Sequence, residues 1–334
     1  IANGLLEEGF ESHLCVTRKE GELKSLINNK VNYLFLEKTS ALDFRAIFKL
    51  RKYLKKHSIK IVHAHTTSSF IAICTKLLYP TLKIVWHNHT GAYISLRGKK
   101  LVALKLYSKY INYIISVTRE LDLWSKKVLK HPSGSYIQNF VTFSNKSKIT
   151  TLKGVSGKRI ICLAGLREVK DHLNLIKAFE LIINEFPDWS LHLVGKDYKD
   201  DYSKMIKKYL KDNSLRKNIY IFDTCLDVEN VLSQASIGVL SSNSEGLPIS
   251  LLEYGLANLP VLVTDVGECS NVVGNKDVIV VPENFEIYAQ KVKNILLDDG
   301  LKNEVASNLN DKIKNNFTKK AYLKILKDLY VNLC

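Results

Sequence analysis

The chain alternates short runs rich in isoleucine and valine with helix-forming stretches along almost its whole length. This order favours parallel strands, each followed by a helix that packs on one face of the sheet. The alternation occurs twice, before and after a polar stretch at 146–158 that contains two glycines. We therefore predict an α/β protein with two Rossmann-like, doubly wound domains, at 1–145 and 159–316, joined by a linker at 146–158.

The predicted topology also indicates where a ligand would bind. Doubly wound sheets bind ligands beyond the carboxyl ends of their strands, and two such domains would leave a cleft facing both sets of strand ends. A length of 334 residues is enough for two domains of ordinary size.

The positive charge of the chain lies entirely in its first half. Residues 1–150 contain 25 Lys and Arg against 9 Asp and Glu, whereas the remaining residues contain 24 of each, so the net charge of +16 comes from the first half. Such a half attracts anionic partners: a lipid surface, a phosphorylated small molecule or nucleic acid. We expect no nucleic acid, because no known reading helix, stacking platform or zinc module is recognisable.

The six cysteines are scattered, and none forms a CxxC pair. This spacing predicts reduced thiols in a cytoplasmic protein rather than a disulfide framework or a zinc site. No uncharged run reaches the length of about 18 residues that a membrane-spanning helix needs, so we expect no span.

The most informative motif links two glutamates eight positions apart. Residues 244–255 read SEGLPISLLEYG, in which a strand ends in a short turn and a helix begins near Ile249. A helix N-terminus binds anions, and Glu245 and Glu253 would flank such a ligand and accept hydrogen bonds from its hydroxyls. Gly246 would let the backbone approach the ligand and Pro248 would stiffen the turn. The alternative is a capped helix with two solvated carboxylates.

This motif resembles that of the retaining glycosyltransferases of the GT-B fold, specifically glycosyltransferase family 4 (glycosyl transferases group 1). Residues 163–172, LAGLREVKDH, resemble the donor-diphosphate loop of the same family. There Lys170 matches the family lysine, and Arg167 and Lys170 would form a phosphate clamp next to Gly165. The alternative is a solvated loop with two cations. The family more commonly has arginine directly after the glycine, where this chain has Leu166.

Weaker matches extend the resemblance over nearly the whole chain. Gly195 and Phe222 fall where the family contacts base and ribose, and His89 falls where it has a cleft histidine near the donor sugar. Residues 317–334 resemble the helix that crosses back to the first domain. Residues 1–9 resemble the first helix, which in the family follows a strand and a Gly-rich loop. We therefore expect the chain to be truncated at its N-terminus.

The resemblance implies transfer of a sugar from a nucleotide-sugar donor to an acceptor hydroxyl, with retention at the anomeric carbon and without a metal ion or other cofactor. The implied catalytic residues are Glu245, His89, Lys170 and Arg167. The implied donor-binding residues are Gly165, Arg167, Lys170, Gly195, Phe222, Gly246, Leu247, Pro248, Ile249 and Glu253. In this scheme Glu253 accepts hydrogen bonds from the ribose and Glu245 fixes the donor sugar.

Four histidines follow two predicted strands as pairs, His63 with His65 and His87 with His89. Strand alternation puts each pair on a common face, from which a metal ion could be held. No carboxylate or cysteine accompanies them and the resembled family works without a metal, so we predict no metal site.

A basic amphipathic helix predicted at 97–110 suits an anionic membrane surface. Many members of the resembled family use lipid-linked acceptors, which indicates a lipid-linked or glycan acceptor in bacterial surface glycan synthesis and a cytoplasmic protein peripheral to the inner face of the plasma membrane. Two alternatives stay open: a GT-B sugar-nucleotide epimerase, and a basic membrane- or nucleic-acid-binding protein with a degenerate site. The two carboxylates could also belong to a hydrolase. The sequence does not distinguish a hydrolase from a transferase, because a hydrolytic pair must flank one glycosidic bond at a set distance.

Overall fold

The structure of the protein is a computed structural model that describes residues 1–143 and 147–334. The chain divides into two compact units. The first comprises residues 1–138 and 319–334, and the second comprises residues 139–318. Among the residues that the structure describes, no helix combines the length and apolar character needed to cross a membrane.

The first unit contains two parallel sheets. One pairs β1 (His13–Val16) with β2 (Asn32–Phe35); the other has the order β3 (Ile61–His65), β4 (Lys83–Asn88), β5 (Tyr113–Ser116) and β6 (Gly134–Tyr136). The helices along this part of the chain are α1 (Ala2–Glu7), α2 (Phe44–Lys56), α3 (Ser69–Leu77), α4 (Gly98–Ser108) and α5 (Arg119–Lys127).

Helices α2 and α3 cover both sheets of the first unit. Leu34 of β2 and Val62 of β3 pack on one cluster whose buried members include Ile47 and Leu50 of α2 and Ile71 of α3. A second cluster lies around β4, whose six residues are all buried except the first. The amphipathic pattern of α2, with apolar residues three and four apart, is what buries one face of this helix.

The second unit is built on one six-stranded parallel sheet. Its order is β12–β11–β10–β7–β8–β9. The strands are β7 (Arg159–Leu163), β8 (Ser190–Val194), β9 (Ile219–Phe222), β10 (Ile237–Leu240), β11 (Val261–Thr264) and β12 (Ile279–Val280). The direction in which successive strands are added reverses between β7 and β10, and such a reversal is where doubly wound sheets bind ligands.

The helices of the second unit alternate with these strands. They are α6 (His172–Ile183), α7 (Asp201–Asp212), α8 (Val228–Ser233), α9 (Ile249–Leu256), α10 (Cys269–Val273), α11 (Phe285–Leu297) and α12 (Asp299–Asn316). A last helix, α13 (Lys319–Leu333), belongs to the first unit. The expected helix at 317–334 is present as α13, separate from α12, because the chain leaves helical geometry at Phe317. Phe317 is buried and its carbonyl accepts a hydrogen bond from Val141 N–H at 3.3 Å.

Part of the predicted linker is packed against the second unit. The expected boundary at 145/146 lies outside the described residues, but residues 147–158 are described and the second unit begins at Asn139. Leu152 is buried, and Asp227 accepts hydrogen bonds from the N–H groups of Ile149 (2.8 Å) and Thr150 (2.7 Å). A single buried carboxylate thus fixes the segment that the composition indicates to be a free connection.

We predict that Asp227→Asn lowers the free energy of unfolding by about 2 kcal/mol at pH 7, because bonds to a charged acceptor are worth about 1.5–3 kcal/mol. Burial opposes ionisation of Asp227, but the hydrogen bonds from Thr150 and Ile149 outweigh it and lower its pKa. A lowered pKa stabilises the fold above about pH 4, the unfolded value, and the contribution is lost as the pH falls further. Urea unfolding at pH 7 and pH 3 should therefore show a difference between wild type and variant that narrows at pH 3. Exposed Asp212→Asn is the control, and an equal effect of both variants would contradict the account.

Candidate active site

Two loops meet where the strand order of the second unit reverses. The loop after β7 runs through Gly165 to a 3₁₀ turn at Glu168–Lys170, and the loop after β10 leads to α9. The loops are joined by two hydrogen bonds of 2.9 Å, from the Ser241 hydroxyl to the Lys170 carbonyl and from Asn243 N–H to the Val169 carbonyl. These bonds hold the two predicted motifs side by side.

Lys170 and Glu245 form an ion pair between these loops. Lys170 Nζ donates to Glu245 Oε1 at 2.5 Å, and the Ser242 hydroxyl donates to the same oxygen at 2.6 Å. The side chain of Glu245 is 9% exposed and that of Lys170 is 23% exposed. The structure therefore brings together two residues that the sequence predicts to be catalytic, and it adds Ser242, which carries no recognisable signal in the motif.

The loop after β11 packs against the turn that precedes α9. Gly267 has φ +56°, and a Cβ there would lie 2.3 Å from the Gly246 carbonyl oxygen, so this approach requires glycine. Glu268 N–H donates to the same oxygen at 2.8 Å. In the turn itself Leu247 and Pro248 are buried, which leaves their backbone rather than their side chains available to a ligand.

Helix α9 begins at Ile249, and no side chain in the described part of the chain caps its N-terminus. The first N–H groups of a helix have no intrahelical partner and attract anions, so this end suits a phosphate or carboxylate. The side chain of Ile249 is exposed. This helix end, four residues before Glu253, is where the sequence predicts an anion site.

Glu253 is half-buried one turn inside α9. Burial raises the pKa of its carboxyl to about 7. Within residues 1–143 and 147–334, no hydrogen bond or ion pair reaches this carboxylate. A desolvated carboxylate without a hydrogen-bond donor lowers the stability of the fold. A ligand whose hydroxyl groups donate hydrogen bonds to the carboxylate would remove this cost.

Arg167 does not join Lys170 in the structure. Its guanidinium lies 4.4 Å from the centroid of the Tyr198 ring, and Nη2 donates to the Tyr198 hydroxyl at 2.5 Å. Leu166 is buried and its N–H donates to the Lys196 carbonyl at 3.0 Å. The position after Gly165 therefore serves the core, and Arg167 is the exposed cation of the loop. Tyr198 was missed by sequence reasoning; an aromatic residue between Lys196 and Lys199 in a strand-end loop is the signal that indicates it.

Gly165, Gly195 and Phe222 lie at the ends of three neighbouring strands. Gly195 has φ +154°, and a Cβ there would lie 2.5 Å from the carbonyl carbon of Ala164, so glycine permits the β8 loop to cross the β7 loop. Gly195 N–H donates to the Phe222 carbonyl at 3.1 Å. A Cβ on Gly165 would lie 3.1 Å from the Tyr198 ring. All three positions therefore border the same edge of the sheet as Lys170.

His89 lies in the first unit, at the end of β4, in a group with His63, His65 and His87. His65 Nδ1 is 2.8 Å from His89 Nε2, and His63 Nε2 is 3.0 Å from His87 Nδ1. Desolvation by the surrounding protein and the His89 imidazole lower the pKa of His65 to about 4, although part of its side chain reaches solvent, and desolvation lowers the pKa of His89. His63, His65 and His87 each offer a ring nitrogen within 4.8 Å of the other two. A second group, Glu11, His13 and His57, is also close enough to hold one ion. Among the described residues, these two groups are the candidates for an ion site, and both lie in the first unit.

Comparison with known proteins assigns both halves of the chain to glycosyltransferase families. The family model described as Glycosyl transferases group 1 matches residues 145–319, and the model described as Glycosyltransferase Family 4 matches residues 1–123.

Individual relatives are distant but extend over most of the chain. UDP-Gal:alpha-D-GlcNAc-diphosphoundecaprenol alpha-1,3-galactosyltransferase of Escherichia coli is 24% identical over 98% of this chain and 91% of its own length. Capsular polysaccharide biosynthesis glycosyltransferase CapH of Staphylococcus aureus is 27% identical over 80% of this chain and 77% of its own. The structure of Anabaena Alr3699/HepE in complex with UDP and glucose has a TM-score of 0.79 at 14% identity, covering 95% of this chain and 91% of that one. The predicted α/β class with two Rossmann-like domains of the GT-B type is thereby confirmed.

The raised pKa of Glu253 predicts a loss of stability with rising pH. A carboxyl whose pKa is higher in the folded state than the unfolded value of about 4.3 leaves the fold at full stability below pH 4.3. The stability falls as the pH rises through 7, by about 2 kcal/mol for a half-buried group. Glu253→Gln should remove this fall, so urea unfolding should show the variant to be more stable than wild type at pH 8 and similar at pH 4.5. Exposed Glu229→Gln is the control, and a wild-type stability that does not fall relative to Glu253→Gln over this range would contradict the prediction.

Proposed function

This chain belongs to the glycosyl transferases of group 1, and we propose that it transfers a sugar from a nucleoside diphosphate sugar to an acceptor hydroxyl with retention at the anomeric carbon. The chain is therefore a transferase enzyme. The observation that carries the finer proposal is the arrangement around α9: the Lys170–Glu245 pair, an uncapped helix N-terminus and the unpartnered Glu253 carboxylate.

Negative charge develops on the diphosphate as its bond to the anomeric carbon breaks. The acceptor oxygen bonds to that carbon, and the proton of the acceptor hydroxyl passes to the departing diphosphate. Lys170 and the first N–H groups of α9 are fixed before the reaction, so they stabilise this charge without reorganising. Arg167 adds a third positive group if it leaves the Tyr198 ring, which stands in the neighbouring loop. We propose that this set replaces a metal ion in the transfer step.

Glu253 and Glu245 have different tasks in this proposal. Glu253 accepts hydrogen bonds from the two ribose hydroxyls, which satisfy a carboxylate that burial has stripped of water. Glu245, oriented by Ser242 and Lys170, holds the donor sugar together with the backbone of Gly246. The turn residues Leu247 and Pro248 contribute backbone atoms alone.

The remaining donor contacts come from the neighbouring strand ends. We propose that Gly195, directly after β8, and Phe222, the last residue of β9, contact the base and its ribose. That His89 faces the donor sugar stays a prediction from the sequence.

We propose a uridine nucleotide as donor and a lipid-linked glycan as acceptor, in bacterial surface glycan synthesis. Two relatives support this: the Escherichia coli enzyme is named for UDP-Gal and a diphosphoundecaprenol acceptor, and CapH is named for capsular polysaccharide biosynthesis. The Anabaena structure contains UDP and glucose.

A lipid-linked acceptor would be met at a membrane, and α4 offers a surface for it. Val102 and Leu106 are exposed four residues apart, which puts them on one face of the helix, and exposed Tyr110 follows two residues after its end. Exposed Lys99 and Lys109 lie at its two ends. We propose that this face rests on anionic lipid at the cytoplasmic side of the plasma membrane.

The donor site is tested by calorimetric titration of the purified protein with UDP and with uridine. We predict that Glu253→Gln weakens UDP binding about tenfold or more, because a hydrogen bond to a charged acceptor is worth about 1.5 kcal/mol or more. Lys170→Met should weaken UDP binding while leaving uridine binding unchanged, since the diphosphate is the only part of the nucleotide that Lys170 contacts in this proposal. Glu229→Gln is the matched control.

Three results would contradict this proposal. Unchanged UDP affinity in Glu253→Gln would remove the ribose role, and a protein that binds anionic vesicles but no nucleotide would favour the binding-protein alternative. Donor conversion to an isomer without acceptor would indicate the epimerase.

The membrane proposal predicts that Leu106→Asp weakens binding to phosphatidylglycerol vesicles about tenfold in a co-sedimentation assay, since insertion of one leucine is worth at least about 1.5 kcal/mol. Leu297→Asp, a substitution at an exposed leucine of α11, should leave vesicle binding unchanged. If both variants bind as wild type does, α4 is not the contact surface.

A further inference from the structure

The first unit gathers four histidines at the carboxyl end of its larger sheet. Side chains alternate along a strand, so His63 and His65 of β3 share a face, as do His87 and His89 at the end of β4. The two strands are parallel, and in their register His65 pairs directly with His87. The register therefore brings the two pairs onto one patch, which strand alternation alone does not establish.

Three of these imidazoles have the geometry of a metal-ligand set. One ring nitrogen each from His63, His65 and His87 lies within 4.8 Å of the others, and His63 Nε2 is 3.0 Å from His87 Nδ1. A zinc–nitrogen bond of about 2.0–2.1 Å in a tetrahedron puts ligand nitrogens about 3.3 Å apart. Small side-chain movements thus suffice to bring all three nitrogens onto one ion.

The hydroxyl of Tyr330 contacts the imidazole of His63 and orients it. The Tyr330 hydroxyl of α13 is 2.5 Å from His63 Nδ1. When Nδ1 donates its proton to this oxygen, the lone pair of His63 is on Nε2, the nitrogen that faces His87. Metal-binding histidines commonly have such a partner on their other nitrogen, because it fixes both tautomer and ring orientation.

We propose that His63, His65 and His87 bind one divalent transition-metal ion, zinc or a neighbour in its row. Three imidazoles without a carboxylate suit zinc, cobalt, nickel or copper and not magnesium or calcium. His87 is buried and His65 is exposed, so a fourth position is open on the solvent side. This site is independent of the proposed transfer reaction.

The second histidine group of the first unit is the competing site. Glu11, His13 and His57 also lie close enough for one ion, but the Glu11 side chain is 68% exposed and already bonds His13 Nε2 at 3.1 Å. Both groups are tested together below.

The test is a titration of the protein, purified without a histidine tag, with Co²⁺ and Zn²⁺. We expect one ion per chain by elemental analysis, and visible absorption bands of tetrahedral cobalt that zinc abolishes. His63→Gln and His65→Gln should each weaken the binding at least tenfold, and His57→Gln should leave it unchanged. Because His65 is exposed, its variant retains the fold, which circular dichroism without metal checks.

Transfer activity is not the readout, because His65 also contacts His89. Binding that is lost in His57→Gln and retained in His63→Gln would assign the ion to the competing group and overturn the proposal. Cobalt bands that are absent, or equal in wild type and His65→Gln, would overturn it as well.

Discussion

The buried phenol of Tyr254 holds the site of the second unit in place. Tyr254 lies on α9 directly after Glu253, and its hydroxyl accepts a hydrogen bond from Leu163 N–H at the end of β7 at 2.7 Å. Its ring packs on Gly238 of β10, where a Cβ would lie 2.6 Å from the ring. One side chain thus ties α9 to both strands at the reversal of strand order. Everything that the two loops contribute depends on this contact.

The two glutamates of this site have opposite effects on the stability of the fold. The loops joined by Ser241 bring Lys170 against Glu245, and each carboxylate has a different environment as a result. Glu245 has two donors, whereas Glu253 is half-buried with its pKa raised to about 7. The desolvated carboxylate of Glu253 lowers the stability of the fold. Together with the nearby N-terminus of α9, it provides a site that suits a ligand with both hydroxyl and phosphate groups.

Motifs carried by consecutive residues were predictable, and contacts between distant segments were not. The turn and helix from Glu245 to Glu253, and Lys170 in its loop, follow from local sequence. The pairing of Arg167 with Tyr198 could not be predicted, because it joins loops 31 positions apart. The hydrogen bonds from residues 149 and 150 to Asp227 could not be predicted either, because they too join distant segments. The composition around residues 149–150 indicates only a linker. The histidine group depends on strand register, which alternation alone does not fix.

We propose that one nucleotide sugar lies across the strand-order reversal, between Lys170 and Glu253. A crystal structure of the protein with a bound UDP-sugar would show whether it does. We expect diphosphate oxygens within hydrogen-bond distance of Lys170 Nζ and the first N–H groups of α9, with both ribose hydroxyls on the Glu253 carboxylate. A nucleotide bound elsewhere, or one that leaves Glu253 without a contact, would contradict it.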